Sequence, residues 1–171
     1  MTVGFRPLRQ ADLRLMFEWL RREHVRRWWD DHETYDDVVE HYLPSLEGRK
    51  PTDLYLILLD ERPVGFIQTY LVADHPEYAE LVGVGAGVSG VDLFIADEEL
   101  TGKGLGPEVL RQFVNDVVFA EPATIVCIAD PDLRNTASIR AFEKAGFRRV
   151  GEFFDPSDGE RHALVGLERR T

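Results

Sequence analysis

One cysteine among 171 residues excludes a disulfide framework and a cysteine-based zinc site. That thiol, Cys127, lies in the apolar run Ile125-Val126-Cys127-Ile128 and is expected to be buried and structural. No apolar run approaches the roughly 20 residues of a membrane span. The start, Met1-Thr2-Val3-Gly4-Phe5-Arg6-Pro7, has no apolar segment behind a basic one. A soluble, cytoplasmic protein with no membrane partner is expected. Positive charge is also scarce: 20 Lys and Arg stand against 31 Asp and Glu, a formal net charge of −11. A general nucleic-acid binder needs a dense basic surface, so that class is excluded, and a cationic partner or plain solubility is favoured. The five histidines show no metal-ligand spacing. His32-Glu33 lacks the second His of H-E-x-x-H, so no metal is expected.

What is present alternates between strand and helix signals. Val3 to Leu8 reads as a first strand. Ala11 to Arg22 carries Leu13, Met16, Phe17 and Leu20 at helical spacing. After Arg26-Arg27-Trp28-Trp29-Asp30-Asp31, Thr34 with Asp37 resembles a capping box opening a helix through Val38, Val39, Tyr42 and Leu43, which Pro44 and Gly48 are expected to end. Leu54 to Leu59 and Val64 to Tyr70 form a hairpin around Asp60-Glu61-Arg62-Pro63. Asp74 to Gly90, with four glycines, reads as a loop or ragged edge, and Val91 to Ala96 as a strand. A helix with Leu110, Phe113, Val114, Val117 and Val118 on one face follows Gly102. Thr124 to Ala129 reads as a strand covered on both faces. Asn135 to Ala145 is a helix stopped by Gly146. Phe147 to Phe154 and His162 to Leu167 close a hairpin around Pro156-Ser157-Asp158-Gly159. With no repeat or linker, this predicts one α/β domain over residues 1–171.

Two glycine patterns compete for a phosphate-bearing ligand. Gly85-Ala86-Gly87-Val88-Ser89-Gly90 matches G-x-G-x-x-G, but that fingerprint needs a helix opening from it. The residues after it alternate like a strand, so the match is read as accidental. Gly102-Lys103-Gly104-Leu105-Gly106 has the right context, a strand before and an amphipathic helix starting inside it. Glycines there let backbone N–H groups converge on an anion at a helix N-terminus. Pro107 suits the first helical turn. The absence of G-K-[ST] argues against magnesium-dependent triphosphate chemistry.

The chain resembles the GNAT superfamily of acyl-CoA N-acyltransferases. The strand before Gly102, the loop and helix after it, the strand Thr124 to Ala129, and Asn135-Thr136-Ala137-Ser138-Ile139-Arg140-Ala141-Phe142-Glu143-Lys144-Ala145-Gly146-Phe147 occur in that superfamily's order. A narrower resemblance covers most of the chain. Trp28-Trp29, Tyr42-Leu43-Pro44-Ser45, Pro63-Val64-Gly65-Phe66-Ile67-Gln68-Thr69-Tyr70, Gly90-Val91-Asp92 and Gly102 to Gly106 look like bacterial aminoglycoside 6′-N-acetyltransferases. N-acyltransferases of hydroxamate siderophore synthesis share the tryptophan and Y-L-P-type elements.

The resemblance implies an α+β mixed sheet, splayed and mostly antiparallel with a central parallel strand pair, flanked by helices. It implies acetyl-CoA as co-substrate. The backbone of Leu93, Phe94 and Ile95 would pair with the pantetheine arm, and Gly102, Lys103, Gly104, Leu105, Gly106 and Pro107 would hold the pyrophosphate. Asn135, Ser138, Phe142 and Lys144 would flank the pantetheine and thioester. A backbone N–H near Leu93 would polarise the thioester carbonyl. Position 142 is Phe where many relatives have Tyr. A thiol of reference pKa about 8.5 leaves largely as thiolate, so no protein general acid is assigned.

Asp92 is the expected proton acceptor and anchor for a cationic amine; alternatively it is a strand-end aspartate satisfied by local N–H groups. Asp130 would add a second carboxylate for a polyamine or cap the turn before Pro131. Asp158 is a turn residue by chemistry, with a substrate role implied by the resemblance. Trp28 and Trp29 would wall a sugar ring or fold under a loop. The resemblance adds Tyr42 and Gln68 to the substrate side. The run Asp30, Asp31, Glu33, Asp36, Asp37 and Glu40 reads mostly as a solvated helix face. Acetyl transfer to the 6′-amino group of an aminoglycoside leads. Siderophore N-acylation and a non-catalytic acyl-CoA sensor are the alternatives, and the protein is expected to be a monomer or homodimer.

Overall fold

The computed structural model describes residues 1–29 and 33–170. Asp30, Asp31 and His32, which the sequence places in the acidic run and in the His-Glu pair, lie outside the described residues. The chain forms two compact units interleaved along the sequence, Met1–Gln68 with Leu93–Thr101 and Thr69–Asp92 with Gly102–Thr171.

In the first unit, β1 (Val3–Pro7) leads to a 3-10 turn, Gln10–Asp12, and then to α1 (Leu13–Leu20). The single helix expected from Ala11 therefore begins as a tighter turn. Asp12 explains the change, since its carboxylate accepts the Arg9 N–H at 2.8 Å and pairs with Arg6 at 2.9 Å. Trp19 joins Leu13, Met16 and Leu20 in the core, whereas Phe17 is only half-buried. A short α2 (Glu23–Arg26) precedes α3 (Tyr35–Leu46), whose start is the expected capping box. Thr34 Oγ accepts the Asp37 N–H at 3.1 Å, and Asp37 accepts the Thr34 N–H at 3.0 Å. Pro44 does not end this helix. It sits in the last turn, where one lost backbone bond is tolerated, and the chain leaves the helix only before Gly48, at φ +74°.

β2 (Asp53–Leu59) pairs antiparallel with β1, Val3 opposite Leu59. The turn into β3 (Arg62–Leu71) is two residues long, shorter than the four expected. Asp60 and Glu61 both have positive φ, 49° and 68°, the twist a tight hairpin demands. Met16, Trp19, Val38, Tyr42, Leu56, Phe66 and Phe94 are the centre of this unit's core.

In the second unit the loop expected from Asp74 to Gly90 contains α4 (Pro76–Val82), with Pro76 in its first turn and Gly83 at φ +72° as its cap. β4 (Val88–Ile95) starts at Val88, three residues before the expected Val91. Its first five residues belong to this unit and its last three to the other. No helix opens from Gly85–Gly90, as expected of an accidental fingerprint. α5 (Leu105–Asp116), β5 (Val126–Ala129), α6 (Thr136–Lys144), β6 (Arg148–Asp155) and β7 (Glu160–Glu168) complete the chain. Hydrogen bonding orders seven strands as β1-β2-β3-β4-β5-β7-β6. β4 and β5 are parallel, Val88 opposite Val126, Ser89 opposite Cys127 and Gly90 opposite Ile128. β7 runs antiparallel to both β5 and β6. The mixed sheet with one parallel pair is the expected fold. Cys127 is fully buried, and burial, with Asp92 nearby, pushes its thiol up. Among the described residues no helix is long and apolar enough to cross a membrane.

Candidate active site

The glycine loop after β4 is built for close backbone approach. Gly102 and Gly104 have φ of +73° and +85°, and a Cβ at either would meet nothing within 4 Å. Only the left-handed backbone requires glycine there, and the space ahead of the 12-residue α5 stays open. The donors suit a phosphate-bearing group: an exposed Lys103 and the early N–H groups of α5. Thr101 is spent on the turn itself, its hydroxyl donating to the Glu98 carbonyl at 2.6 Å. Leu105 and Pro107 are buried in the first turn, and Gly106 faces Ala141 of α6.

Asn135 has a definite local task. Its Oδ1 accepts the Ser138 N–H at 3.2 Å and caps α6, so its side-chain oxygen is turned to the helix. Ser138 is half-buried and Lys144 exposed. Phe142 is a core residue set edge-on to Phe147, with ring centroids 5.1 Å apart.

Acidic and aromatic groups gather around the middle of β4 and the end of β5. The parallel pairing runs to Gly90 and Ile128, and two residues further along each chain segment lie Asp92 and Asp130, close enough for the charge of one to act on the other. Asp92 is half-buried, and the Asp130 side chain is only 17% exposed. Burial first, then the Asp92 charge, hold the Asp130 carboxyl well above the usual carboxylate range, against the pull of His162. The Tyr70 ring fills the place where Gly90 has no side chain, since a Cβ there would lie 2.4 Å from it. Thr69 pins the same strand, its hydroxyl donating to the Gly90 carbonyl at 2.8 Å. Tyr70 stands edge-on to Tyr78 of α4 at 6.1 Å, and burial together with Asp92 and Asp130 raises both hydroxyls.

His162 of β7 touches two of the expected acidic residues. Its Nδ1 is 2.7 Å from the Asp130 carbonyl oxygen, and its Nε2 is 2.7 Å from Asp158 Oδ2. Burial would lower its pKa, but the Asp130 carbonyl and the Asp158 and Asp130 charges outweigh it and raise the imidazole above its ordinary value. Asp155, Asp158 and His162 bring donor atoms within 4.8 Å of one another. Both imidazole nitrogens are already committed, which makes the cluster an ion pair in its present form.

In the first unit Trp29 packs edge-on to Phe94 at 5.2 Å and Phe66 at 6.0 Å, and Trp28 is half-buried. Tyr42, which the resemblance places on the substrate side, is a buried residue of α3. It is 1% exposed and set edge-on to Phe66 at 5.5 Å, which leaves a ligand no surface of it to touch. Gln68 is half-buried in β3. Leu93 and Ile95 are half-buried and Phe94 buried. The Ile95 carbonyl accepts from His24 Nε2 at 2.9 Å, and the Ala96 carbonyl from Arg22 at 2.7 Å.

Sequence reasoning did not single out Tyr70, Tyr78 or His162. Tyr70 stood within a quoted motif, Tyr78 in a segment read as loop, and His162 inside an apolar strand. Only His162 had a signal, a titratable residue amid core positions.

Residues 9–155 match the family model described as an acetyltransferase (GNAT) domain. An aminoglycoside N(6′)-acetyltransferase type 1 of Klebsiella pneumoniae is 34% identical over 167 residues, covering 96% of this chain and 82% of that protein. The lysine N-acyltransferase MbtK of Mycobacterium tuberculosis is 28% identical over 172 residues, covering 98% and 78%. The solved structure of AAC(6′)-Ib in complex with paromomycin and acetyl-CoA superposes with a TM-score of 0.84 at 31% identity. The match covers 99% of this chain and 94% of that one.

Proposed function

Since the chain belongs to the acetyltransferase (GNAT) domain family, we propose that it transfers the acetyl group of acetyl-CoA to the 6′-amino group of an aminoglycoside, by direct attack within a ternary complex. The observation that carries this reading is a pair of acidic groups, Asp92 within β4 and a buried Asp130 just after β5, close enough to interact. A neutral or single-charged acceptor gives no reason to bury a second carboxyl against the first.

A protonated amine of pKa near 9 to 10 costs roughly 3–4 kcal/mol to neutralise at pH 7. Asp92 accepts that proton directly or through one water and anchors the cation before transfer. Asp130 takes a second ammonium. The cation favours the ionised carboxylate, so the carboxyl releases its proton as the polyamine arrives. The Leu93 N–H donates to the thioester oxygen, where negative charge grows as the amine adds. Backbone pairing along Leu93, Phe94 and Ile95 holds the pantetheine arm, with the Ile95 carbonyl shared with or released by His24. Gly102 to Gly106 and Pro107 hold the pyrophosphate, and Ser138 and Lys144 of α6 border the cofactor arm. Gln68, Trp28 and Trp29 border the sugar rings. The thiolate leaves without a protein acid. Acetyl-CoA as co-substrate puts the enzyme in the cytoplasm, where that thioester is held.

Thiol release from acetyl-CoA at pH 7 with kanamycin, a lysine-type hydroxylamine and spermidine in parallel tests the reading. Turnover with kanamycin is expected, and Asp92→Asn lowers kcat/KM by about 10²–10⁴-fold, the scale of a lost general base, without changing the melting temperature. Turnover on the hydroxylamine alone moves the enzyme to lysine-type N-acylation. Silence on every amine with CoA bound makes it a sensor.

A further inference from the structure

We infer that His162 is a positioning residue of the substrate face: donating from both ring nitrogens, it ties the Asp158 carboxylate of the β6–β7 turn to the end of β5 and sets the spacing of Asp158 from Asp130. This rests on the polycationic-substrate reading above.

The geometry is two-sided. The Asp130 carbonyl can only accept, so Nδ1 carries a proton, and a carboxylate oxygen 2.7 Å from Nε2 requires a second. A neutral ring keeps one bond and loses the other. Packing prevents the ring from turning away. His162 is 9% exposed and lies on the Phe153 ring at 5.5 Å with 17° between the planes. The other side of Asp158 is fixed too, its Oδ1 accepting the Glu160 N–H at 2.9 Å. Asp158 is thus an exposed turn residue whose carboxylate is held in one orientation by a buried group. That is the condition under which a turn residue can recognise a ligand.

The charges around the ring come from each neighbouring element. From the end of β5 come Asp130, its Oδ2 at 3.8 Å, and Asp132, bridged to His162 and paired with Arg134 at 2.8 Å. Asp155 ends β6, Asp158 lies in the turn, and Arg161, adjacent on β7, turns to Glu152 at 3.6 Å. The Asp158 carboxylate at 2.7 Å is the nearest of these and favours the protonated ring.

Two substitutions separate position from charge. His162→Gln puts an amide donor where Nε2 was, toward Asp158, and His162→Asn puts one where Nδ1 was, toward Asp130. For positioning, His162→Asn raises the kanamycin KM about tenfold, the scale of one charge-assisted hydrogen bond. His162→Gln then restores it to within about threefold of the parent, and kcat and the acetyl-CoA KM move less than twofold in both. On the free enzyme, imidazole nitrogen NMR shows both nitrogens protonated at pH 7 and a midpoint above 6.5 that falls in Asp158→Asn, whether or not the variants fold well. A ring neutral at pH 7 overturns the inference whatever the substrate. So does an equal fall in KM for both variants, the result of merely removing a positive charge, or an equal rise in the acetyl-CoA KM. A doubly protonated ring with no turnover on any amine overturns the substrate reading and reduces His162 to a turn anchor.

Discussion

Both units bury aromatic rings, but they do so against different neighbours. In the first, Trp29, Phe66, Phe94 and Tyr42 stack edge to face among aliphatic side chains, and the core continues through Trp19 and Met16. In the second, Tyr70 and Tyr78 pack on Val72, Val88 and Ile128 yet keep their polar tips beside Asp92 and Asp130, while Phe153 carries an imidazole. The first arrangement lowers free energy by burial and ring contacts alone. The second spends part of that gain on desolvating ionisable groups, which moves Asp130 toward neutral pH and the Tyr70 and Tyr78 hydroxyls further above it. The buried groups with perturbed proton affinity that stand beside the acidic residues are therefore concentrated in the second unit.

The largest expected effect breaks the apolar side of this contrast. Phe66→Ala empties a fully buried site beside the rings of Trp29, Tyr42 and Phe94 and should cost about 3–5 kcal/mol, read as a lower urea midpoint. If the folded fraction keeps its kcat, the aromatic core of that unit supplies stability and not proton chemistry. A loss of kcat at full stability erases the distinction.

A smaller effect sharpens the polar side. Gly90→Ala drives a methyl into the Tyr70 ring, and such overpacking costs about 1–3 kcal/mol. Gly85→Ala, in open space at ordinary φ, should stay within about 0.5 kcal/mol. Thermal melts of both decide whether the first and third glycines of that accidental fingerprint have any common role; equal effects would mean that they do.

The smallest expected effect is pH-dependent. His162 has a raised folded pKa, so its stabilisation is complete below the unfolded value near 6.5 and is lost as pH rises through the folded one. Asp130 is raised as well. The native state keeps a proton that the unfolded chain releases above about 4, so here too stability falls with rising pH. Melting temperature should decline from pH 6 to 9, and Asp130→Asn should flatten the decline. A rise over that range would contradict both shifts.

Much of this was legible residue by residue. The Thr34–Asp37 box, the left-handed glycines of the Gly102–Gly106 loop and the alternating strands all follow from short-range rules. The α4 helix was hidden because Gly83, Gly85, Gly87 and Gly90 outweighed the Pro76 and Gly83 punctuation at its ends. Pro44 misled because a proline near the last turn removes only one bond. Tyr42 was placed by family likeness on the substrate side, although its spacing in α3 after Val38 already put it on the buried face.

Taken alone, the sequence determined what depends on neighbours a few residues apart: element types, caps, turns, the glycine-rich loop ahead of α5 and the charge that favours a cationic partner. Its order of motifs also pointed to the family. Only the tertiary structure decided that Asp92, Asp130, Asp158 and His162 meet. They are separated by 4 to 70 positions along the chain, and the parallel pairing of β4 with β5 and the antiparallel return of β7 bring them together. Pairing register is a long-range choice made by burial of both strand faces, and no local pattern encodes which carboxylates it will force into one low-dielectric place.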